Sequence, residues 1–159
     1  MFRIRTIKRE DLNRLFALDA LCFRPGIAYS VADLNYFIRH PGSLSFAAVD
    51  ASDEIAGFAI VESHFERGRR VGHIVTIDVA PHARRKGIGK QLMQAMIDGL
   101  LAIHAVIVRL EVAVDNMDAQ AFYLKLGFTS AGRIRGFYMG TLDALVMEFP
   151  LRADGADES

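Results

Sequence analysis

The stretch from residue 72 to residue 114 constrains the fold more than any other part of the chain. "GHIVTIDVAP" is β-branched and apolar and stops at Pro81. After the loop "RRKGIGK", the residues Ile88, Leu92, Ala95, Met96 and Leu100 recur at helical spacing up to Ala102. "AVIVRLEVAV" then returns to strand composition, and its alternation puts Val108, Leu110, Val112 and Val114 on one side and Arg109 and Glu111 on the other. Strand, helix and strand in this order predict two parallel strands in one sheet, because a crossover is needed to bring the chain back in the same direction.

The flanks predict antiparallel pairing. "SLSFAAVD" and "EIAGFAIVESHF" are joined by the polar turn "DASDE", and "ERGRR" leads from the second of them into the strand that ends at Pro81. "MFRIRTIK" alternates like a half-buried strand, and residues 10–23 carry Leu12, Leu15, Phe16, Ala20 and Phe23 at helical spacing, with Cys22 buried in that helix. "FRPGIAYS" breaks the helix at Pro25 and Gly26, and Ser30 is placed to cap a second helix running to Arg39. Asn116 can cap "MDAQAFYLKL", which Gly127 ends, and "FTSAGRI", a loop "RGFYMGT" and "LDALVMEFPL" close the chain as strands. The expected architecture is α/β (α+β): a mixed, mostly antiparallel sheet with one parallel pair and about four helices, in a single domain over residues 1–151. Residues 152–159, "RADGADES" from Arg152, form an acidic tail with nothing apolar to pack and are expected to be disordered.

Composition excludes several classes of function. Nineteen Lys and Arg balance nineteen Asp and Glu, whereas nucleic-acid binders usually carry a basic excess, so no nucleic-acid partner is expected. No apolar run approaches the roughly 20 residues that span a bilayer, and the first residues lack the pattern of a secretory signal, so neither a membrane partner nor export is expected. One cysteine, Cys22, agrees with a reducing cytoplasm. The five histidines lack metal-ligand spacing, so no metal is expected, and His73, His82 and Cys22 read as packing or surface residues.

Arg84, Arg85 and Lys86 stand at the start of a helix, where the helix dipole disfavours cations, so an anion beside them is the economical reading. Gly87 and Gly89 let backbone N–H groups approach phosphate oxygens. Alone, a loop of this kind is a weak signal: it has neither the third glycine of a dinucleotide fingerprint nor the Lys-Ser/Thr ending of a nucleotide P-loop.

"GHIVTIDVAPHARRKGIGKQLM", then "LEVAVDNMDAQAFYLKLGF", then "DALVMEFPL" resemble the GCN5-related N-acetyltransferase (GNAT) superfamily, and within it the RimI-like protein N-terminal acetyltransferases. The resemblance follows the element order from about Ile4 to Leu151 and is sharpest over residues 72–128. It implies a GNAT fold whose central parallel strands splay apart around acetyl-CoA. It also implies that the backbone of Ile77, Asp78 and Val79 pairs with the pantetheine arm, with a free N–H near Val79 facing the thioester oxygen. Arg84, Arg85, Lys86, Gly87, Ile88, Gly89 and Lys90 would hold the pyrophosphate, and Asn116 would contact the cosubstrate beyond the splay. Glu111 would be the general base, Tyr123 the general acid, and Tyr29 and Tyr138 would flank the acceptor groove.

The chemistry is consistent with these roles. Acetyl transfer to an amine needs a proton acceptor, an oxyanion donor and a proton for the leaving sulfur, and no covalent enzyme intermediate, which leaves Cys22 a bystander. The apolar run around Glu111 disfavours its charged form, which suits a base. Glu111 could equally be a surface carboxylate paired with Arg109, Tyr123 a core aromatic, and Asn116 a helix cap. The implied activity is acetylation of a protein N-terminal α-amine in a ternary complex, by a monomer or homodimer. Acetylation of a small amine and acyl-CoA sensing without turnover are the alternatives. RimI-type enzymes tend to carry a Pro-Trp element between the first two helices; here "FRPGIAYS" stands there and the chain has no tryptophan.

Overall fold

The computed structural model describes residues 1–151, and the expected acidic tail at 152–159 lies outside them. The strands are β1 (Arg3–Thr6), β2 (Ser43–Val49), β3 (Ile55–Glu66), β4 (Arg69–Val79), β5 (Ile107–Ala113), β6 (Thr129–Tyr138) and β7 (Leu142–Pro150). The α-helices are α1 (Leu12–Cys22), α2 (Val31–Arg39), α3 (Ile88–Ala102) and α4 (Met117–Leu126). Their order along the chain is the expected one. The seven strands form one sheet in the order β1-β2-β3-β4-β5-β7-β6, in which β4 and β5 are parallel and every other pair is antiparallel.

Local chemistry sets the element boundaries. Ser30 caps α2 by accepting from Asp33 N–H at 3.0 Å while Asp33 reaches back to Ser30 N–H, a reciprocal capping box. Gly127 ends α4 with φ +106°, the left-handed conformation expected of a helix-terminating glycine. Two boundaries differ from the sequence reading. The helix expected over residues 10–23 begins as a 3₁₀ turn at Arg9–Asp11, where buried Asp11 accepts from Lys8 N–H and from Arg5 and Arg14. The expected loop "RGFYMGT" continues β6 as far as Tyr138, because Gly136 takes φ +60° across an irregular register and donates its N–H to Asp143.

The core lies between the sheet and α3. Ile88, Leu92, Met93, Met96 and Leu100 of α3 are buried against β3 and β4, together with Phe58, Ile60, Val108 and Leu110. Each such large side chain is worth about 1.5–3 kcal/mol when fully buried. Gly72 makes the close approach possible, since a Cβ there would lie 2.6 Å from Leu100 Cδ1.

Two irregularities in β4 build the site. Ile60 pairs with Thr76 but Val61 pairs with Ile74, so Val75 is an extra, bulged residue. The parallel ladder with β5 covers only Val71–Ile107, Gly72–Val108 and His73–Arg109. Beyond that rung β4 follows β3 and β5 follows β7, and the two strands part.

Candidate active site

The opening between β4 and β5 exposes backbone polar groups. In an antiparallel ladder the N–H and C=O of alternate residues point to the same neighbour. Ala80 N–H donates to Ala56 C=O at 2.7 Å. Thr76 and Asp78 therefore also face β3, while Ile77 and Val79 turn their N–H and C=O toward the side that β5 has left. The backbone of Ile77 and the N–H of Val79 are available along the opening, whereas Val79 C=O accepts from Arg84 Nε and Cys22 Sγ, and the backbone of Asp78, contrary to expectation, faces β3.

The loop after β4 is shaped for an anion. Arg85 adopts φ +64° and Gly87 φ +80°, and Gly87 occupies the cap position of α3. A glycine has no side chain with which to cap, so the first N–H groups of the helix, those of Ile88, Gly89 and Lys90, are left for an external acceptor. Lys86, Arg85 and Lys90 are exposed around them, while the Ile88 side chain is buried and only its backbone can serve. The two glycines have different reasons. A Cβ on Gly87 would meet nothing within 4 Å, so its backbone angle alone demands glycine; a Cβ on Gly89 would lie 3.1 Å from Phe122 Cζ, so Gly89 is where α4 packs on α3. Arg84 departs from the expected phosphate role, because its Nε donates to Val79 C=O at 3.1 Å and its Nη2 reaches Cys22 Sγ at 3.8 Å. These features fit a pyrophosphate-bearing cosubstrate: unsatisfied helix N–H groups, a glycine that leaves room, surrounding cations, and a free strand edge leading away from them.

The mouth of the opening, where β4 and β5 part, holds Glu111. Glu111 Oε1 lies 2.6 Å from His73 Nε2, with the Glu111 side chain 14% and the His73 side chain 34% exposed. His73, whose rung partner is Arg109, thus reaches diagonally to Glu111, two residues beyond the last rung of the parallel ladder. Sequence reading missed this and left His73 as a packing residue; the signal was its place opposite "RLEV" in a parallel pair, which becomes visible only when the register is known. The alternative partner for Glu111 is eliminated. Arg109 donates to Glu66 at 2.7 Å and to Glu148 at 2.7 Å, well apart from Glu111.

Tyr29 and Tyr138 lie within electrostatic reach of this pair, and Tyr123 within reach of Tyr138. Tyr123 is 7% exposed, its ring packed edgewise between Phe122 and Phe128, and burial, helped by the negative charge of Asp78, pushes its hydroxyl well above the ordinary value. Tyr138 is pushed up to about 12 by burial and by the Glu111 carboxylate, so Tyr138 lies within electrostatic reach of the candidate base. Tyr29 is raised further, first by burial, then by Asp19, Tyr138, Glu111 and Asp78. Its hydroxyl donates to Val75 C=O at 3.3 Å, satisfying the carbonyl of the bulge. Tyr29 therefore braces β4 as well as flanking the opening. Asn116 caps α4, its Oδ1 accepting from Ala119 N–H at 3.2 Å. Cys22 is half-buried at the C-terminal end of α1, with its thiol pushed up to about 11 by burial and by Asp78.

The α1–α2 loop and the β6–β7 turn meet. Gly26 (φ +91°) in the α1–α2 loop lies directly under Met139 in the β6–β7 turn, so close that a Cβ on Gly26 would collide with the Met139 sulfur. Arg24 also pairs with Asp115 at 3.2 Å, tying the α1–α2 loop to the end of β5. Among the described residues no cluster of His, Cys, Asp and Glu could hold a metal ion, and no helix is long and apolar enough to cross a membrane.

Known proteins place this arrangement. An N-alpha-acetyltransferase of Sulfurisphaera tokodaii is 29% identical, with 94% of this chain and 93% of that protein covered. The crystal structure of the ribosomal-protein-S18-alanine N-acetyltransferase of Escherichia coli superimposes with a TM-score of 0.85 at 25% identity, covering all of this chain and 99% of that one. Arabidopsis thaliana NAA60 in complex with acetyl-CoA shares the fold, with a TM-score of 0.82 at 22% identity over 94% of this chain and 98% of that one. The model of the acetyltransferase (GNAT) family matches residues 11–128, the span that holds the β-bulge, the anion loop and both candidate catalytic side chains, and the chain belongs to that family.

Proposed function

We propose that the protein transfers an acetyl group from acetyl-CoA to the α-amine of a protein N-terminus, by direct attack in a ternary complex. The observation that carries this reading is the Glu111–His73 hydrogen bond, placed where β4 and β5 part, beside the free backbone of Ile77 and the free N–H of Val79. The relatives' names point the same way: an N-alpha-acetyltransferase and a ribosomal-protein alanine N-acetyltransferase align over nearly the whole chain.

In this reading Arg85, Lys86, Gly87, Ile88, Gly89 and Lys90 hold the pyrophosphate, chiefly through main-chain N–H groups and the charge around them. Asn116 contacts the cosubstrate while capping α4. Acetyl-CoA supplies a thioester whose carbon accepts the amine lone pair and whose sulfur is the leaving group. Glu111 takes the proton from the incoming ammonium. In its Nε2–H tautomer His73 donates to Glu111 Oε1, which holds the carboxylate in place. Val79 N–H is oriented to stabilise the charge that develops on the acetyl oxygen, and Tyr123 O–H protonates the departing sulfur. The high proton affinity of Tyr123 keeps it protonated at neutral pH, as a proton donor must be.

Tyr29 and Tyr138 form the walls of the acceptor entrance. The Gly26–Met139 contact joins the loop that leads to Tyr29 with the turn that follows Tyr138. A cytoplasmic location rests on the single, half-buried Cys22, and the extent of one domain over residues 1–151 rests on the continuous sheet. Release of CoA measured against a panel of N-terminal peptides and of polyamines, amino acids and aminoglycosides tests the reading. Turnover confined to peptides with a free α-amine is the expected result. Turnover only on small amines overturns the acceptor, and tight acetyl-CoA binding without transfer to any amine overturns catalysis.

A further inference from the structure

The Glu111–His73 chemistry leaves a second titratable cluster unused. Asp19 of α1 and Asp78 of β4 are 0% and 1% exposed, and their carboxyl groups are electrostatic neighbours. Asp19 Oδ2 accepts from Tyr29 N–H at 2.7 Å, and Asp78 Oδ1 accepts from the Thr76 hydroxyl at 2.5 Å. Their remaining oxygens, Asp19 Oδ1 and Asp78 Oδ2, have no donor among the described residues. Around the pair stand the Thr76 hydroxyl, the Cys22 thiol, the Tyr29 and Tyr123 phenols and the Arg84 guanidinium. Arg84, the nearby cation, spends its hydrogen bonds on Val79 C=O and Cys22 rather than on either carboxylate.

Two ionised carboxylates cannot occupy such a place. Each would lack water, and each would face a nearby like charge with an oxygen that has no donor, the arrangement in which one of two carboxyl groups stays protonated. A proton between the orphan oxygens resolves both problems: one carboxyl becomes the donor that the other lacks. Burial first, and then the neighbouring Asp19 carboxyl, raise the proton affinity of Asp78 well above the ordinary carboxyl range, while Thr76 and Arg84 oppose the shift.

We propose that Asp19 and Asp78 hold one proton between them at neutral pH, and that this acid pair positions the acceptor loop against the strand that carries the donor contacts. Asp19 holds Tyr29, whose hydroxyl braces the Val75 bulge. Asp78 sits between Ile77 and Val79, the two residues whose backbone faces the opening. The protonated pair thus fixes one geometric relation between α1, the loop that ends at Tyr29, and β4. Removing the proton places two like charges in contact and drives those elements apart. Both residues are positioning residues, since neither side chain touches the reacting atoms. The use made of the pair rests on the acetyl-transfer reading; the shared proton does not.

The sign of the pH dependence follows. A carboxyl whose proton affinity is higher in the folded than in the unfolded chain contributes stability that is complete below the unfolded value near 3.9 and is lost as pH rises through the folded value. The pair therefore weakens the fold toward alkaline pH.

The test has two arms without ligand and one with it. Difference infrared spectra of the wild type against Asp78→Asn, taken near neutral pH, should show a protonated carboxylic acid band belonging to the wild type alone. The thermal midpoint of the wild type should fall as the pH rises toward the alkaline range, and Asp78→Asn, whose amide donates to Asp19 without a titrating proton, should flatten that fall. With ligand, the KM for acetyl-CoA should rise severalfold over the same range in the wild type, and the rise should be absent in Asp78→Asn. Should Asp78→Asn fail to fold, Asp19→Asn and the wild-type spectrum on its own decide the first arm. Absence of the acid band overturns the shared proton. Presence of the band with unchanged pH slopes in Asp78→Asn overturns the positioning role. If no amine is acetylated, the first two arms still report on the pair, so failure of the function and failure of the inference are distinguishable.

Discussion

His73 Nε2 and Glu111 Oε1 lie 2.6 Å apart, bridging the two parallel strands where their ladder ends. The contact places a carboxylate at the mouth of the opening and gives it one fixed orientation, while Arg109 two residues earlier is held away by Glu66 and Glu148. Glu111→Gln should lower turnover about 10²- to 10⁴-fold, the usual worth of a positioned general base, with the fold and the KM for acetyl-CoA preserved. Steady-state kinetics with a peptide acceptor checks this. Full activity in Glu111→Gln removes it from the mechanism.

His73→Leu keeps comparable volume but leaves the carboxylate without its partner. The expected loss is roughly 10- to 100-fold in kcat, the range observed when a residue that orients a functional side chain is removed. The comparison with Glu111→Gln decides what His73 does. Combining the two changes should cost little more than Glu111→Gln alone if they act as one unit. Additive losses would show that His73 acts independently.

In the proposed mechanism Tyr123 serves packing and chemistry through different atoms. Its ring lies between Phe122 and Phe128, whereas only its hydroxyl can protonate a leaving group. Tyr123→Phe should leave the thermal midpoint nearly unchanged and lower kcat roughly 10²-fold. A lower midpoint with unchanged kcat would make Tyr123 a core residue and nothing more.

Gly87 and Gly89 should respond differently to the same substitution. Gly87→Ala forces a side chain into the left-handed region, costing about 1 kcal/mol, and should weaken acetyl-CoA binding, because the loop can relax only by moving its N–H groups. Gly89→Ala crowds Phe122, so Phe122→Leu should rescue it and should do nothing for Gly87→Ala. Calorimetric titration with acetyl-CoA and thermal melts of the four variants measure both effects.

Asn116→Ala removes the cap on Ala119 N–H and should cost about 1 kcal/mol, which is a fall of about 2–4 °C in the midpoint for a chain of this size. Asn116→Ser retains a capping oxygen and should restore the midpoint. If acetyl-CoA affinity stays reduced in Asn116→Ser, the side chain touches the cosubstrate as well as the helix.

The element order was legible because each signal was local. The α3 stripe Ile88, Leu92, Met96 and Leu100, the capping box of Ser30 and Asp33, and the left-handed stop at Gly127 depend on neighbours a few residues away. The strand–loop–helix–strand order alone required a parallel pair, and the residue types in "RRKGIGK" announced an anion site. Tyr138 was misplaced in a loop for a related reason: three small or turn-forming residues in "RGFYMGT" outweigh a strand locally, while the pairing of Tyr138 with Leu142 that overrides them comes from the partner strand.

The sequence by itself thus determined the elements, the parallel pair, the anion loop and the types of residue available for acid–base work. Tertiary structure alone decided which of those residues meet. The Val75 bulge, the end of the β4–β5 ladder at His73, the partner of Glu111, the return of Arg84 onto Val79 C=O and the burial of Asp19 against Asp78 each join residues 5 to 59 positions apart. Register and desolvation set these contacts, and both belong to the assembled sheet with its helices rather than to any segment. A histidine or an aspartate reads alike in sequence whether it faces water or a carboxylate, and only the packed neighbour determines which proton it holds.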